Sequence, residues 1–393
     1  MERPDPITKV EFCAKLKHLG DVMESNGYTS AYLNSEGAMR WLTGVRHQVV
    51  DISPDASTTV QALVRIHPKT SIVFFGEPWE SARIHDAMAG GIWHECGVEV
   101  SYGGQFPDFS RPGLISPTLA EYIELERAIV SPLAEGMEGN QWNKLMWLIG
   151  ESRKALIETA GILEPGMTGW EVRTALYQSC HSRHVELNLV MVGLSGMQKQ
   201  AHPVINDDSV VEEGAVVKLV TGARYYDMFH SASQLVKIGG LPTERELHVH
   251  RALQEAAVAY ADRFRNGAVE SDLYASLDPI FHDIGNKYSL AGFDKSSHLH
   301  HSGGPLSPLG SRDFVISKQG TRKILPYAQF AVNPVDALEY LKFELQGLAL
   351  PEGAPMIFDE FAWCRDERLY GTVPWQSGTL RLPTIITNGE YSL

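Results

Sequence analysis

The order of helical and strand patterns beyond residue 135 is the feature that most constrains the fold. Two segments with helical spacing are followed by strand-like runs, and the same order then occurs again. This order favours an α+β domain with internal duplication, although no short sequence repeat is present. Thr243, with Glu246 three residues later, is the capping-box pattern that opens the third helix. The helices are predicted at 141–159, 169–182, 243–264 and 272–285, and the strands at 186–192, 215–220, 225–238, 329–332, 341–348 and 356–361.

The N-terminal third has a different pattern, in which helices and strands alternate. Such alternation is typical of an open α/β sheet covered by helices. A segment rich in Pro, Gly and Ser at 106–116 and a helix-prone stretch at 118–130 separate the two patterns. We therefore predict a smaller N-terminal α/β domain at 1–135 and an α+β domain at 136–393. The N-terminal helices are predicted at 12–24 and 38–42, and the strands at 30–34, 60–66 and 71–75.

Composition argues against several functional classes. The 393 residues are 44% hydrophobic and 21% charged, which is ordinary for two globular domains. A net charge of −14 without any basic run argues against a nucleic-acid partner. No apolar run reaches the ~18 residues of a spanning helix, and no signal-peptide pattern opens the chain, so no membrane partner is expected. No dinucleotide or phosphate-loop motif is present, and no cofactor is expected.

Cysteine usage leads to a prediction about compartment. The four cysteines are scattered, with no close pair and no CxxC motif. This pattern indicates neither a disulfide framework nor a zinc site. A reducing cytoplasm is the expected location. The cysteines are Cys13, Cys96, Cys180 and Cys364.

Six phrases in the same order along the chain carry a family resemblance. They are TSAYLNSEGAMRWLTGVR at 29–46, ILEPGMTGWEV at 162–172, AHPVINDDSVVEEGAVVKL at 201–219, GARYYDMFHSASQLVKIG at 222–239, LHHSGG at 299–304 and FAVNPVDALEYLKFEL at 330–345. Together they resemble the creatinase/aminopeptidase P/methionine aminopeptidase family, from about residue 10 onward. The resemblance implies a pita-bread fold for the C-terminal domain, a creatinase-type N-terminal domain and a homodimer.

The family's metal site is where this chain departs from the resemblance. The metallopeptidases of the family hold two metal ions with two aspartates, a histidine and two glutamates. The aspartate positions fall here on Val220 and Ser231, and the first glutamate position falls on Asn333. His301 and Glu344 match the remaining two positions. Since valine has no donor atom and two side chains cannot hold two divalent cations, we predict that no metal is bound.

An alternative alignment stays open at this point. A shift of the strands by one or two residues would bring Asp227 or Asp336 to ligand positions. The chain would then be a metallopeptidase with an atypical site.

Creatinase, which works without a metal, implies roles for the remaining residues. His202 falls on the family's active-site histidine, and its pKa near ~6.5 suits a general acid and base. His301, before the small residues 302–304, and Glu344, on a predicted alternating strand at 342–345, are predicted to orient substrate and water. Creatinase's catalytic glutamates fall on Ser233 and Asn333, so the chemistry is not creatinase's own. The residues predicted to contact a small polar substrate are Ser231, Ser233 and Asn333.

The leading hypothesis is a cytoplasmic, homodimeric, metal-independent hydrolase or lyase. It would cleave a C–N bond in a small amino-acid-like, amide or guanidino substrate. One alternative is a metallopeptidase of the Xaa-Pro aminopeptidase or dipeptidase type with an atypical metal site. Another is a pseudo-peptidase that binds a ligand without catalysis.

Overall fold

A computed structural model describes most of the chain as two units. The described residues are 2–45, 60–66, 69–76, 92–103, 125, 127–194, 203, 205, 208–295, 304–306, 316–336, 338–358, 370–375 and 378–388. The N-terminal unit comprises residues 1–145, 226–228 and 307–313. The C-terminal unit comprises residues 146–225, 229–306 and 314–393. Among the described residues, no helix is long and apolar enough to cross a membrane.

The N-terminal unit is built on a four-stranded sheet with the order β1-β2-β3-β4. The first three strands are antiparallel neighbours, and β4 is parallel to β3. Phe12, Trp41 and Phe74 are fully buried in the core of this unit. The predicted open α/β sheet is therefore confirmed. Its elements are α1 Lys9–Ser25, β1 Ser30–Leu33, α2 Glu36–Thr43, β2 Val60–Arg65, β3 Ser71–Gly76, α3 Ile92–Glu95 and β4 Glu99–Gly103.

A disulfide links two parts of the N-terminal unit. Cys13 in α1 is bonded to Cys96, which directly follows α3. The prediction that the chain has no disulfide is therefore wrong. The two cysteines are 83 residues apart, so their contact depends on how the helices pack and not on sequence spacing. Cys180 in the C-terminal unit has a free, buried thiol, and burial raises its pKa to about 12.

The C-terminal unit combines helices with two four-stranded sheets and a two-stranded ribbon. The sheets have the orders β14-β7-β6-β5 and β11-β10-β9-β8, and β12 pairs with β13. The helices are α4 Asn140–Gly161, of which residues from 146 belong here, α5 Gly169–Ser182, α6 Glu244–Ala261 and α7 Glu270–Lys287. The strands are β5 Glu186–Gly193, β6 Val216–Tyr225, β7 Met228–Lys237, of which residues from 229 belong here, β8 Gly304–Pro305, β9 Gln329–Val332, β10 Leu345–Leu348, β11 Met356–Ile357, β12 Tyr370–Trp375, β13 Gly378–Pro383 and β14 Ile386–Thr387.

Helices and sheets of this unit share one apolar core. Tyr260 and Phe264 stack edge to face, and Phe264 also stacks on Phe330 of β9 at 4.6 Å between ring centroids. The predicted capping box of α6 is present, because Thr243 and Glu246 exchange hydrogen bonds. The predicted α+β arrangement is confirmed. Helix α6 ends at Ala261, short of the predicted end at residue 264, and the next residues turn into the core.

One strand prediction is wrong in part, in a region that matters for the site. The predicted strand 341–348 is regular only over β10, Leu345–Leu348. Before β10 the chain makes a tight turn held by Asp336. Its carboxylate accepts backbone N–H groups of Leu338, Glu339 and Leu341 at 2.8, 2.8 and 2.6 Å. A single bridge, between Val335 and Lys342, precedes the regular ladder.

Candidate functional site

The predicted site residues that the structure describes lie on β7 and beside the β9–β10 pair. Ser231 and Ser233 are in β7, Asn333 directly follows β9, and Glu344 directly precedes β10. All four belong to the C-terminal unit. The two predicted catalytic histidines, His202 and His301, lie outside the described residues.

Ser231 and Glu344 are in direct contact. The Ser231 hydroxyl donates a hydrogen bond to Glu344 Oε1. The Ser231 backbone N–H donates to Gln346 Oε1 at 3.2 Å, and the Gln346 amide donates to the carbonyl of Phe229 at 3.1 Å. Glu344 is 1% exposed. The carboxylate is therefore held in a fixed position inside the protein, and is not the exposed strand glutamate that would carry no function.

Asn333 lies opposite Glu344 in the register of the ladder. The pairs Val332–Leu345 and Val335–Lys342 share one antiparallel register, which places Asn333 across from Glu344. Within the described part of the chain, Asn333 Oδ1 and Glu344 Oε2 are buried without a hydrogen-bond partner. Buried acceptors of this kind are costly unless a ligand or water satisfies them. The site therefore presents two acceptor atoms to which no described residue donates a hydrogen bond.

Ser233 is placed less directly. It follows Ser231 by two residues on β7, so both side chains point to the same face of the strand. Its carbonyl accepts a hydrogen bond from Arg153 Nη1 at 3.1 Å. Among the described residues, Ser233 makes no hydrogen bond to Ser231, Asn333 or Glu344. The structure thus joins Ser231 with Glu344, and places Ser233 along the same strand face.

Two buried lysines in this region were missed by the sequence analysis. Lys342 Nζ lies 3.4 Å from Glu344 Oε2, and the two side chains are 5% and 1% exposed. Lys218 is 3% exposed in β6, two residues before Val220. Burial lowers the pKa of Lys218 to about 7, with Asp336 opposing this shift and Lys342 adding to it. A charged residue inside the apolar run VVKLV was the signal that could have revealed Lys218.

The donor atoms present do not fit the family's pair of metal ions. Val220 is buried and apolar, and the Ser231 hydroxyl is hydrogen-bonded to Glu344. The Lys342 ammonium already lies next to the Glu344 carboxylate. Repulsion between that ammonium and a divalent cation opposes metal binding at Glu344. Within the described ranges, no group of three or more His, Cys, Asp or Glu side chains is placed to hold a metal.

The alternative ligands, Asp227 and Asp336, are both occupied. Asp227 is fully buried in the N-terminal unit, where its carboxylate forms ion pairs with Lys15, at 2.8 Å, and with Lys144. Asp336 accepts three backbone N–H groups. Neither carboxylate is available to a metal, so the shifted alignment finds no support in the structure.

Comparison with known proteins agrees with this architecture. The dipeptidase PepE from Mycobacterium ulcerans is 15% identical, with a TM-score of 0.63 over 90% of this chain and 96% of that one. The X-Pro aminopeptidase from Thermotoga maritima MSB8 is 15% identical, with a TM-score of 0.62 over 95% and 99% of the two chains. The Xaa-Pro dipeptidase from Bacillus anthracis is 12% identical, with a TM-score of 0.63 over 96% and 99%. At these identities the likeness shows the fold.

No curated protein is significantly similar to the chain in sequence. The sequence profile described as "Metallopeptidase family M24" matches residues 150–352. The predicted pita-bread fold and the resemblance to creatinase and aminopeptidase P are therefore confirmed. Since this match spans more than half of the 393 residues, the chain belongs to metallopeptidase family M24.

Proposed function

We propose that this member of the family cleaves a C–N bond in a small amino-acid-like, amide or guanidino substrate without a metal pair, as a hydrolase or a lyase. The observation that carries the proposal is the Lys342–Glu344 ion pair, with 3.4 Å between Nζ and Oε2. Glu344 occupies a ligand position that the chain retains, and the Lys342 ammonium offsets the charge of its carboxylate. The other described ligand positions hold Val220, Ser231 and Asn333, so little negative charge remains to offset divalent ions.

In this proposal His202 is the general acid and base. His301 and Glu344 orient the substrate and the attacking water, and Ser231, Ser233 and Asn333 contact the substrate. The burial of Glu344 and its hydrogen bond from Ser231 support a positioning role, because a carboxylate fixed in this way holds one orientation. The two histidines enter through the family resemblance.

The metallopeptidase alternative is less well supported than the metal-independent one. Proteins with similar structures are named X-Pro aminopeptidase and Xaa-Pro dipeptidase, and these activities are those of the named proteins. For this chain the ion pair at Glu344 opposes metal entry. A ligand-binding protein without catalysis is distinguished from both enzymes by the absence of turnover.

The deciding experiment is elemental analysis of protein purified without chelators, before and after supplementation with manganese or cobalt. Xaa-Pro dipeptides, small amides and guanidines are assayed with both samples. We expect substoichiometric metal, no gain in activity on supplementation, and turnover of an amide or guanidine that is lost in His202→Ala. Stoichiometric metal with cleavage of Xaa-Pro dipeptides contradicts the proposal. Absence of turnover with every substrate favours the binding protein.

Three further parts of the proposal concern the whole protein. We propose a homodimer, tested by light scattering coupled to size-exclusion chromatography, and a domain division into 1–135 and 136–393, tested by limited proteolysis. The cytoplasmic location also stays a proposal. It no longer has the support of cysteine usage, because the Cys13–Cys96 disulfide is typical of oxidising compartments. The redox state of these two cysteines in the native host tests it.

A further inference from the structure

A cavity of about 270 Å³ lies beside the Cys13–Cys96 disulfide in the N-terminal unit. Both cysteines line this cavity, together with Leu16 and Lys17 of α1 and with Thr70, which directly precedes β3. Both cysteines are also partly exposed. The disulfide therefore lies at the wall of a groove and not in the apolar core of the unit.

This position allows a thiol to reach the disulfide while the protein stays folded. Thiol–disulfide exchange begins when a thiolate attacks one of the two sulfur atoms, so its rate depends on access to the bond. The groove gives a small dithiol such access. Cys180 is the contrast, since its thiol is fully buried in the C-terminal unit.

The chemistry of reduction is complete once a dithiol is supplied. Its first thiolate forms a mixed disulfide with one cysteine and releases the other cysteine as a thiolate. Its second thiol then displaces the first cysteine. The protein disulfide gains two electrons and two protons, and the dithiol is oxidised to a disulfide.

The chain on the Cys96 side of the bond is short and weakly held. Helix α3 spans four residues, and a helix of this length is not stable on its own. Trp93 packs edge to face on Phe12 at 5.7 Å between ring centroids. The Lys9–Glu95 ion pair, with side chains 52% and 54% exposed, adds little. The disulfide is therefore a main anchor of residues 92–98.

The chain on the Cys13 side is fixed in another way. Glu11 and Lys15 of α1 are fully buried, and they form ion pairs with Lys144 and Asp227. Reduction of the disulfide leaves these ion pairs intact. Opening of the bond therefore loosens residues 92–98 and leaves α1 in place.

We propose that the Cys13–Cys96 disulfide is a reversible redox switch, which dithiols reduce in the folded protein and whose reduction loosens residues 92–98. In an oxidising compartment this segment is anchored to α1, and in a reducing compartment it is free to open locally. The inference goes beyond the proposed function and does not depend on it, because the switch lies in the N-terminal unit and the candidate site in the C-terminal one.

The first test follows reduction of the folded, full-length protein by dithiothreitol without denaturant, with free thiols counted by alkylation after an acid quench. We expect the rate to rise in proportion to the dithiothreitol concentration, because the exchange is bimolecular. Thr70→Trp, which fills the groove, is expected to slow reduction severalfold. Lys69→Trp is the matched control, because Lys69 is the next residue, has a side chain 61% exposed and does not line the groove.

A rate that does not change with the dithiothreitol concentration means that unfolding limits reduction, and this result overturns the inference. Equal rates for the wild type and Thr70→Trp overturn it as well. Near-UV circular dichroism shows whether Thr70→Trp is folded. If it is not, the concentration dependence in the wild type decides.

The second test measures hydrogen exchange of the oxidised and the reduced protein. The backbone N–H groups of residues 96–98 donate to carbonyls of residues 92–94, so their exchange reports opening of this segment. We expect exchange at 96–98 to become about tenfold or more faster on reduction, while the amides of α1 stay protected over the same period. The variant that combines Cys13→Ser with Cys96→Ser is expected to show the fast exchange with and without reductant. Unchanged exchange at 96–98, or equal acceleration in α1, contradicts the switch.

Discussion

Four buried charged side chains form a network of ion pairs in the N-terminal unit. Glu11, Lys15, Lys144 and Asp227 are all fully buried. Lys15 bonds Asp227 at 2.8 Å and Glu11 at 2.5 Å, and Lys144 bonds Glu11 at 2.8 Å as well as Asp227. The two cations and two anions balance, so removal of one partner leaves an uncompensated charge in the interior.

Asp227→Asn is expected to destabilise the protein by about 3 to 5 kcal/mol, because it leaves one net positive charge buried. Asp21→Asn is the control. It breaks an exposed Lys17–Asp21 pair, with side chains 78% and 62% exposed, and is expected to cost at most about 1 kcal/mol. Urea unfolding of both variants measures the difference. Equal effects of the two substitutions contradict this account of Asp227.

The lowered pKa of Asp227 leads to a prediction about the stability of the protein in acid. Burial by itself raises the pKa of this carboxyl, but Lys144 and Lys15 outweigh burial and hold the pKa below its ordinary value. Its contribution to stability is therefore fully present above pH ~4 and is lost as the pH falls through the lowered pKa. Below pH 5, the free energy of unfolding is therefore expected to fall more steeply with decreasing pH for the wild type than for Asp227→Asn.

Lys218 gives a pH dependence of the same sign in a higher pH window, because its pKa is also lower in the folded than in the unfolded chain. Its pKa falls from 10.5 to about 7 on burial, so between these values the unfolded chain binds a proton that the folded chain does not. Stability contributed at this site therefore rises with pH across that window. Lys218→Met is expected to flatten the rise and to stabilise the protein at pH 7 by about 4 kcal/mol. Thermal unfolding at several pH values measures this, with Lys154→Met, at a side chain 42% exposed, as control. An unchanged pH profile contradicts it.

At the scale of elements, local side-chain hydrogen bonds define where helices begin. Thr168 opens α5 and Thr243 opens α6, each through a capping box with the glutamate three residues later. Glu246 also pairs with Lys237 of β7 at 2.9 Å, which links the start of α6 to the sheet. These signals are local, which is why the sequence alone predicted the start of α6.

Thr243→Ala is expected to destabilise the protein by about 1 kcal/mol, because it removes the acceptor for the Glu246 backbone N–H. Thr243→Ser keeps the hydroxyl and serves as the matched control. Urea unfolding compares the two variants. If the serine variant loses as much stability as the alanine variant, the hydroxyl is not the cause.

At the scale of the whole molecule, the disulfide closes a long loop in the N-terminal unit. It joins residues 83 apart, so it restricts the unfolded chain considerably. Reduction is expected to lower the free energy of unfolding by about 2 to 5 kcal/mol. The variant that combines Cys13→Ser with Cys96→Ser is expected to have the same free energy of unfolding with and without reductant.

Alkylation of the denatured protein tests the bond directly, since reductant should expose two further thiols. An equal number of alkylated thiols under both conditions contradicts the disulfide.

The sequence by itself determined the class of fold and the start of α6. The loss of metal ligands at Val220, Ser231 and Asn333 stays a prediction from the family resemblance. Periodicity, caps and motif order are properties of neighbouring residues, and they can be read without the fold. Whether His202 and His301 act in catalysis stays a prediction of the sequence alone.

Tertiary structure alone decided which distant residues meet. It joined Cys13 to Cys96, Lys15 to Asp227 across 212 residues, and Lys218 to the region of Asp336 and Lys342. It also left the first half of a predicted strand, residues 341–344, outside the regular ladder that begins at Leu345. Such contacts depend on packing between segments far apart in the chain, so periodicity and spacing carry no information about them. The contact between Ser231 and Glu344, which are 113 residues apart, became visible for that reason only in the folded protein.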